Sequence, residues 1–217
     1  ASCNLKTTGQ AVIALGTSGT TDAKNWILSQ NGTPEELTWY LQIDSVDVST
    51  CSVSYDSSSY SVAINPDKVL NSSAGPCLSL SSSGYWLEIP STCYNKDFTI
   101  SCNKDFVTNL IFQKTDSSAF HISSETSGAS SGGTTIEKVD SLCLANSTGC
   151  DYEGTLWGVA ALDKLGYDVS SYLPYLITMS EDNEEYIPSS FLYSLTGHTD
   201  FYNELTSAQT NGYWQAA

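Results

Sequence analysis

The spacing of apolar residues changes period twice along the chain. Residues 8–16 (TGQAVIALG) and 21–32 (TDAKNWILSQNG) place them at helical intervals, with Thr21 and Asp22 as a start and Gly16 and Gly32 as stops, which predicts one helical hairpin. From Thr38 to about Thr126 the pattern alternates. The runs TWYLQID, CSVSY, YSVAI, YWLEI, DFTIS, FVTNLIF and FHISS are broken by Ser, Asn, Gly and Pro turns, and seven such strands predict a small β-sandwich or barrel. The stretch 127–135 (SGASSGGTT) has the composition of a flexible linker.

Beyond Gly149 the helical period returns. GTLWGVAALDKLG, VSSYLPYLITMS, EEYIPSSFLYSLTG and TDFYNELTSAQTNG predict four helices, with Gly166, Gly197 and Gly212 at their ends and Pro174 and Pro188 in first turns. The predicted fold class is therefore α+β: a helical-hairpin domain from residues 1–37 and 150–217, interrupted by a β-sandwich-like insertion at 38–126, with 127–149 as linker. The ends of the chain echo each other. VIALG with TTDAKNWILSQNG, from Val12, matches FLYSLTGHTDFYNELTSAQTNG, from Phe191, and Leu156 to Gly166 repeats the first helix alone. Such echoes point to stacked helical pairs around a common core.

Charge narrows the partners. Eight lysines, no arginine and 24 acidic groups give a net charge of −16, so the chain cannot assemble the basic patch that phosphate binding needs, and nucleic acid is excluded. No apolar run reaches the roughly 18 residues of a membrane span. No leader-like segment remains, so residue 1 is expected to be a processed or trimmed end. Residues 151–217 hold ten acidic side chains against Lys164 alone, a solvated acidic face or a surface for Ca2+-dependent assembly.

Seven cysteines, Cys3, Cys51, Cys77, Cys93, Cys102, Cys143 and Cys150, show no CxxC or Cys/His spacing suited to a metal, so disulfides are expected instead. Cys143 and Cys150 lie seven residues apart, where a bridge would pin the linker to a helix start. An odd count leaves one thiol over, and Cys3, near an end, is the candidate for an intermolecular bond. Three sequons, at Asn31, Asn71 and Asn146, are candidate glycosylation sites, and with the disulfides they place the chain in an oxidising compartment, extracellular or at a cell surface.

The closing Gln30-Asn31-Gly32 and Gln209-Thr210-Asn211-Gly212-Tyr213-Trp214 resemble the Gln…Gly…Trp repeat of the α/α-toroid superfamily, which includes terpene cyclases, protein prenyltransferase β-subunits and thioester domains of macroglobulin-type proteins. The resemblance covers about half the chain, and Trp39 follows the first copy too late for the motif. It implies a helical toroid, but each chemistry it carries lacks a residue here. The DxDD acid of the cyclases is absent. Gly149-Cys150-Asp151-Tyr152-Glu153 is similar to the zinc-binding stretch of the prenyltransferases, yet Thr148 stands where an Asp is needed, and His198 is the only histidine near in sequence. Cys150 is followed at thioester spacing by Glu153, whose carboxylate cannot supply the amide-derived bond.

Hydrolysis would need a base, and the chain's histidines read otherwise: His121 in an alternating strand as an exposed or packed strand residue, and His198 at a helix junction as a capping or loop residue. The run Glu181-Asp182-Asn183-Glu184-Glu185 lacks EF-hand spacing and suits a helix entry. Trp26, Trp157, Tyr172, Tyr175 and Tyr193 fall on helical faces, where they would fill a core or line an aromatic cavity. No catalytic, cofactor or metal residue is assigned. The expected function is a non-enzymatic extracellular structural protein that polymerises with its own copies into a filament, layer or appendage. The alternative is an adhesin-like module binding a surface glycan or protein, and an extracellular toroid enzyme ranks last.

Overall fold

A computed structural model describes residues 4–214, apart from the side chains of residues 124 and 125. Helices α1 (Leu5–Leu15) and α2 (Thr21–Leu28) come first. Strands follow: β1 (Asn31–Gly32), β2 (Leu37–Ser45), β3 (Ser49–Tyr55), β4 (Ser58–Ile64), β5 (Ser79–Leu80), β6 (Trp86–Ile89), β7 (Phe98–Cys102), β8 (Phe106–Lys114), β9 (His121–Ala129), β10 (Thr135–Glu137), β11 (Cys143–Asn146) and β12 (Gly149–Cys150). Helices α3 (Tyr152–Lys164), α4 (Leu173–Thr178), α5 (Pro188–Thr196) and α6 (Thr199–Ser207) complete the chain. These form two compact units, Glu35–Asp140 and the pair of segments Ala1–Pro34 with Ser141–Ala217.

The first unit is a β-sandwich. Its four-stranded sheet runs β10-β7-β3-β4 and its five-stranded sheet β5-β6-β2-β8-β9, with every pairing antiparallel. Alternation sets the faces, since successive side chains of a strand point to opposite sides. Trp39, Leu41 and Ile43 of β2, Val53 of β3, Phe98 and Ile100 of β7, and Leu110 and Phe112 of β8 are all buried. Trp39 and Phe112, opposite each other in register, pack in a tilted contact with ring centroids 4.7 Å apart. Cys51 and Cys102 are also directly paired, and a disulfide joins them across β3 and β7. The Tyr55 hydroxyl donates to the Ala74 carbonyl at 2.9 Å and accepts from the Cys77 amide at 3.1 Å, anchoring the loop that the Cys77–Cys93 bridge also ties down. Gly75, at φ +77°, passes so close to the Tyr55 and Tyr60 rings that no side chain fits there.

The second unit sets helices around the three-stranded sheet β1-β11-β12. Asn4 and Asp151 cap α1 and α3, accepting from the amides of Thr7 (3.0 Å) and Gly154 (2.8 Å). α1 lies parallel to α3: Gly154 meets Leu5, and a Cβ on Gly9 would stand 2.5 Å from the Trp157 carbonyl oxygen. Thr155, fully buried, accepts at Oγ1 from the Leu144 amide of β11 at 3.0 Å. Pro174 and Pro188 sit in the first turns of α4 and α5, and Gly197 ends α5 at φ +67°, its amide on the Tyr193 carbonyl.

The helical toroid is overturned. The structure is a mixed α+β arrangement of short helices and three antiparallel sheets, with the β-sandwich as its largest regular part. The motif behind the resemblance takes a different conformation: Asn31 and Gly32 pair as strand β1 with Leu144 and Cys143, and Thr210 and Tyr213 close a bridged turn. α1 packs on α3 more extensively than on α2, so the echo at the two ends does not produce an array of stacked hairpins. Residues 127–149 hold the end of β9, all of β10 and β11, and the first residue of β12. Their Ser- and Gly-rich composition conceals the inward alternation of Thr135 and Glu137, which β10 pairs against β7.

Candidate functional site

Register defines a second face on the five-stranded sheet, the one turned away from the sandwich core. Across it run Trp86, Gln42, Asn109 and Thr126 in one row, and Glu88, Tyr40, Ile111 and Ile122 in the next. Thr38 and Gln113 follow on one side, Asp44, Val107 and Gly128 on the other. Phe120, just before β9, lies against Trp86 and Tyr40, with ring centroids 4.8 Å and 6.1 Å away, and Tyr40 and Trp86 are 5.6 Å apart. Tyr40 is buried in this cluster, whereas Phe120 is 45% and Ile122 63% exposed.

The polar groups between these rings are mostly amides. Gln113 donates from Nε2 to the Tyr40 hydroxyl at 2.9 Å. The Tyr40 phenol is raised above its ordinary pKa by burial and then by the charge of Glu88, while the Gln113 bond opposes both, so it stays protonated at neutral pH. Gln113 Oε1 and Asn109 Oδ1 have no hydrogen-bond partner and are covered by neighbouring side chains. An orphaned acceptor of this kind costs about 1–3 kcal/mol. Asp44 and Glu88 stand exposed beside this face.

The outer face of the four-stranded sheet offers a comparison within the same unit. It carries Thr50, Ser52 and Ser54 of β3, Ser59 and Ser61 of β4, and Thr99 and Ser101 of β7, with Ala63 and Ile136 as its apolar members. One sheet therefore presents short hydroxyls to water and the other presents aromatic, aliphatic and amide side chains. Alternation alone places Tyr40, Trp86 and Ile122 outward, and Phe120, two residues before Ile122 and just ahead of β9, completes the cluster.

The residues singled out in the sequence are scattered. Cys143 is bonded to Cys150, which removes the thiol of the Cys150–Glu153 pair, and Glu153 forms an ion pair with Lys6 at 2.6 Å. Cys3 lies outside the described residues. Asn31 is in β1, Asn71 follows β4 and Asn146 ends β11. The His121 ring stacks on Phe112 at 5.4 Å, and His198 opens α6 with Nδ1 3.7 Å from Asp200. Glu181–Tyr186 is a 3-10 helix, and no three His, Cys, Asp or Glu side chains among the described residues are grouped to hold a metal ion.

The helical aromatics pack in separate contacts. Trp157 packs edge-on to Phe191, Tyr193 lies against Tyr202, and Tyr172 and Tyr175 are buried. Trp26 borders a cleft of about 150 Å³ with Asn4, Gln30, Asn146 and Asp151. No helix among the described residues is long and apolar enough to cross a membrane. No protein-family model, curated protein or solved structure matches the chain.

Proposed function

We propose that this chain is an exported, non-enzymatic recognition protein whose β-sandwich binds an uncharged carbohydrate chain on the outer face of its five-stranded sheet. The observation that carries the reading is the side-chain set of that face: exposed Phe120 and Ile122 and half-buried Trp86, interleaved with Gln42, Asn109 and Gln113. Aromatic rings accept the C–H faces of a pyranose, and amides both donate to and accept from its hydroxyls. The adjoining Asp44 and Glu88, within a chain of net charge −16, disfavour acidic polysaccharides and phosphates. Three disulfides suit an oxidising, extracellular setting. The test is a screen of the full chain on an array of neutral and acidic glycans. Retention on a subset of neutral glycans supports the reading, and retention on none of them overturns it.

The place of β9 at the end of its sheet favours a second reading, assembly with other copies of the chain. This strand of nine residues ends its sheet, and a long edge strand is a template for adding another. Sedimentation over a wide concentration range tests it: a single monomeric species throughout removes it.

A further inference from the structure

The local geometry separates the three Asn-X-Ser/Thr sequons, and we propose that Asn146 is the one that carries an N-linked saccharide. Asn146 and Gly149 are the last paired residues of the β11–β12 hairpin, residues 146–149 are all exposed, and the Cys143–Cys150 disulfide closes the base of the turn. Within it the Thr148 hydroxyl donates to Asn146 Oδ1 at 2.6 Å and the Thr148 amide donates to the same oxygen at 2.8 Å. The contact that Nδ2 makes with Asp151 Oδ2 is long, 3.4 Å, and engages one of its two protons.

The other two sequons are committed elsewhere. Asn31 lies in the β1–β11 pairing, and its Oδ1 accepts from the hydroxyl of Tyr172, itself buried, at 2.7 Å. Asn71 Oδ1 accepts from the Ala63 amide of β4 at 2.7 Å and from the Ser72 hydroxyl at 3.1 Å. Ser73, two residues after Asn71, uses its hydroxyl to accept from the Leu80 amide at 2.8 Å. At Asn146 the hydroxyl two residues on bonds, among the described residues, to the asparagine itself and to no other part of the fold that would hold the turn down, and the turn is exposed as an acceptor loop should be.

In the transfer, Asn146 Nδ2 bonds to the anomeric carbon of a sugar activated as a nucleotide or lipid pyrophosphate. The bond from that carbon to the phosphate oxygen breaks, its electron pair leaves on the pyrophosphate, and the Nδ2 proton passes to a base of the transferase. The experiment incubates the folded, unmodified full chain with a soluble asparagine N-glycosyltransferase and UDP-glucose, followed by peptide mapping. One hexose is expected on the Asn146 peptide, absent from the Asn146→Gln and Thr148→Val chains, and kept by Thr148→Ser. Melting curves matching the parent show that these turn variants fold. An unmodified Asn146 peptide, or equal or greater occupancy at Asn31 or Asn71, overturns the assignment.

Discussion

Replacing Cys51 and Cys102 together by alanine removes a bridge between residues 51 positions apart in sequence, joining two strands inside the sandwich. On the chain-entropy relation, constraining a loop of that length in the unfolded state is worth about 4 kcal/mol, against about 3 kcal/mol for Cys77–Cys93 and about 2.4 kcal/mol for Cys143–Cys150. The sequence separations of those two are 16 and 7. Both sulfurs of the first bridge are buried, and losing their contacts adds about 1 kcal/mol. A total near 5 kcal/mol is a large part of the 5–15 kcal/mol that holds an ordinary domain together. With a urea dependence of about 1.5 kcal/mol per molar, the midpoint falls by about 3 M. The assay is urea unfolding followed by fluorescence of Trp39, buried in the sandwich core. The Cys143/Cys150 double variant, followed by helical ellipticity, should shift by about half as much, because its loop is short. A midpoint for the Cys51/Cys102 variant no lower than that of the Cys143/Cys150 variant would refute the reasoning.

Other substitutions report on single contacts. Thr155→Val keeps the volume of a buried side chain but leaves the Leu144 amide without its acceptor, so it costs about 2 kcal/mol. Thr155→Ser keeps that bond and loses about 1 kcal/mol with its methyl group, and urea midpoints of the pair decide which effect is larger. Gly158→Ala drives a methyl group into Leu144 and to 3.4 Å from Ile27, lowering stability by about 1–3 kcal/mol in the same melts. The Tyr94 phenol, pushed up to about 12 by burial with a smaller effect from Glu88, stays protonated in the folded chain after the unfolded chain ionises near its ordinary value of 10.0. The contribution of Tyr94 to stability is therefore level below about pH 10 and falls between about pH 10 and 12. Tyr94→Phe loses the 3.0 Å bond to the Leu37 carbonyl at neutral pH but flattens part of that alkaline fall, which urea midpoints at pH 7 and pH 11 will show.

The sandwich was legible because each strand has one buried face. TWYLQID, CSVSY, YSVAI, YWLEI, DFTIS, FVTNLIF and FHISS fall in or overlap β2, β3, β4, β6, β7, β8 and β9. β10 and β12 were not legible: three and two residues long, they are too short for a period to emerge, and their neighbours are Ser, Thr and Gly. Gln30-Asn31-Gly32 misled for a related reason. A Gly after a helix reads as a stop, and the pairing that draws Asn31 and Gly32 into β1 comes from β11, more than a hundred residues away. The helical echo described local amphipathic spacing, but partner choice followed shape, with Gly9 and Gly154 opening α1 and α3 to close approach. On the candidate face, alternation places Trp86, Tyr40 and Ile122 together only once strand order is known. Phe120 joins them from the chain just outside the strand.

The central claim is recognition through the outer face of the five-stranded sheet, and calorimetric titration tests it most directly. The neutral oligosaccharide best retained on the array is titrated into the full chain and into its Trp86→Ala, Phe120→Ala and Ser52→Ala variants, each checked for a parental melting profile. Loss of an aromatic contact in a binding face costs about 1–3 kcal/mol, so Trp86→Ala and Phe120→Ala should weaken binding by about 5- to 150-fold. Ser52→Ala, on the hydroxyl face of the other sheet, should leave it unchanged. Binding by folded Trp86→Ala and Phe120→Ala at the parent's affinity would contradict the assignment.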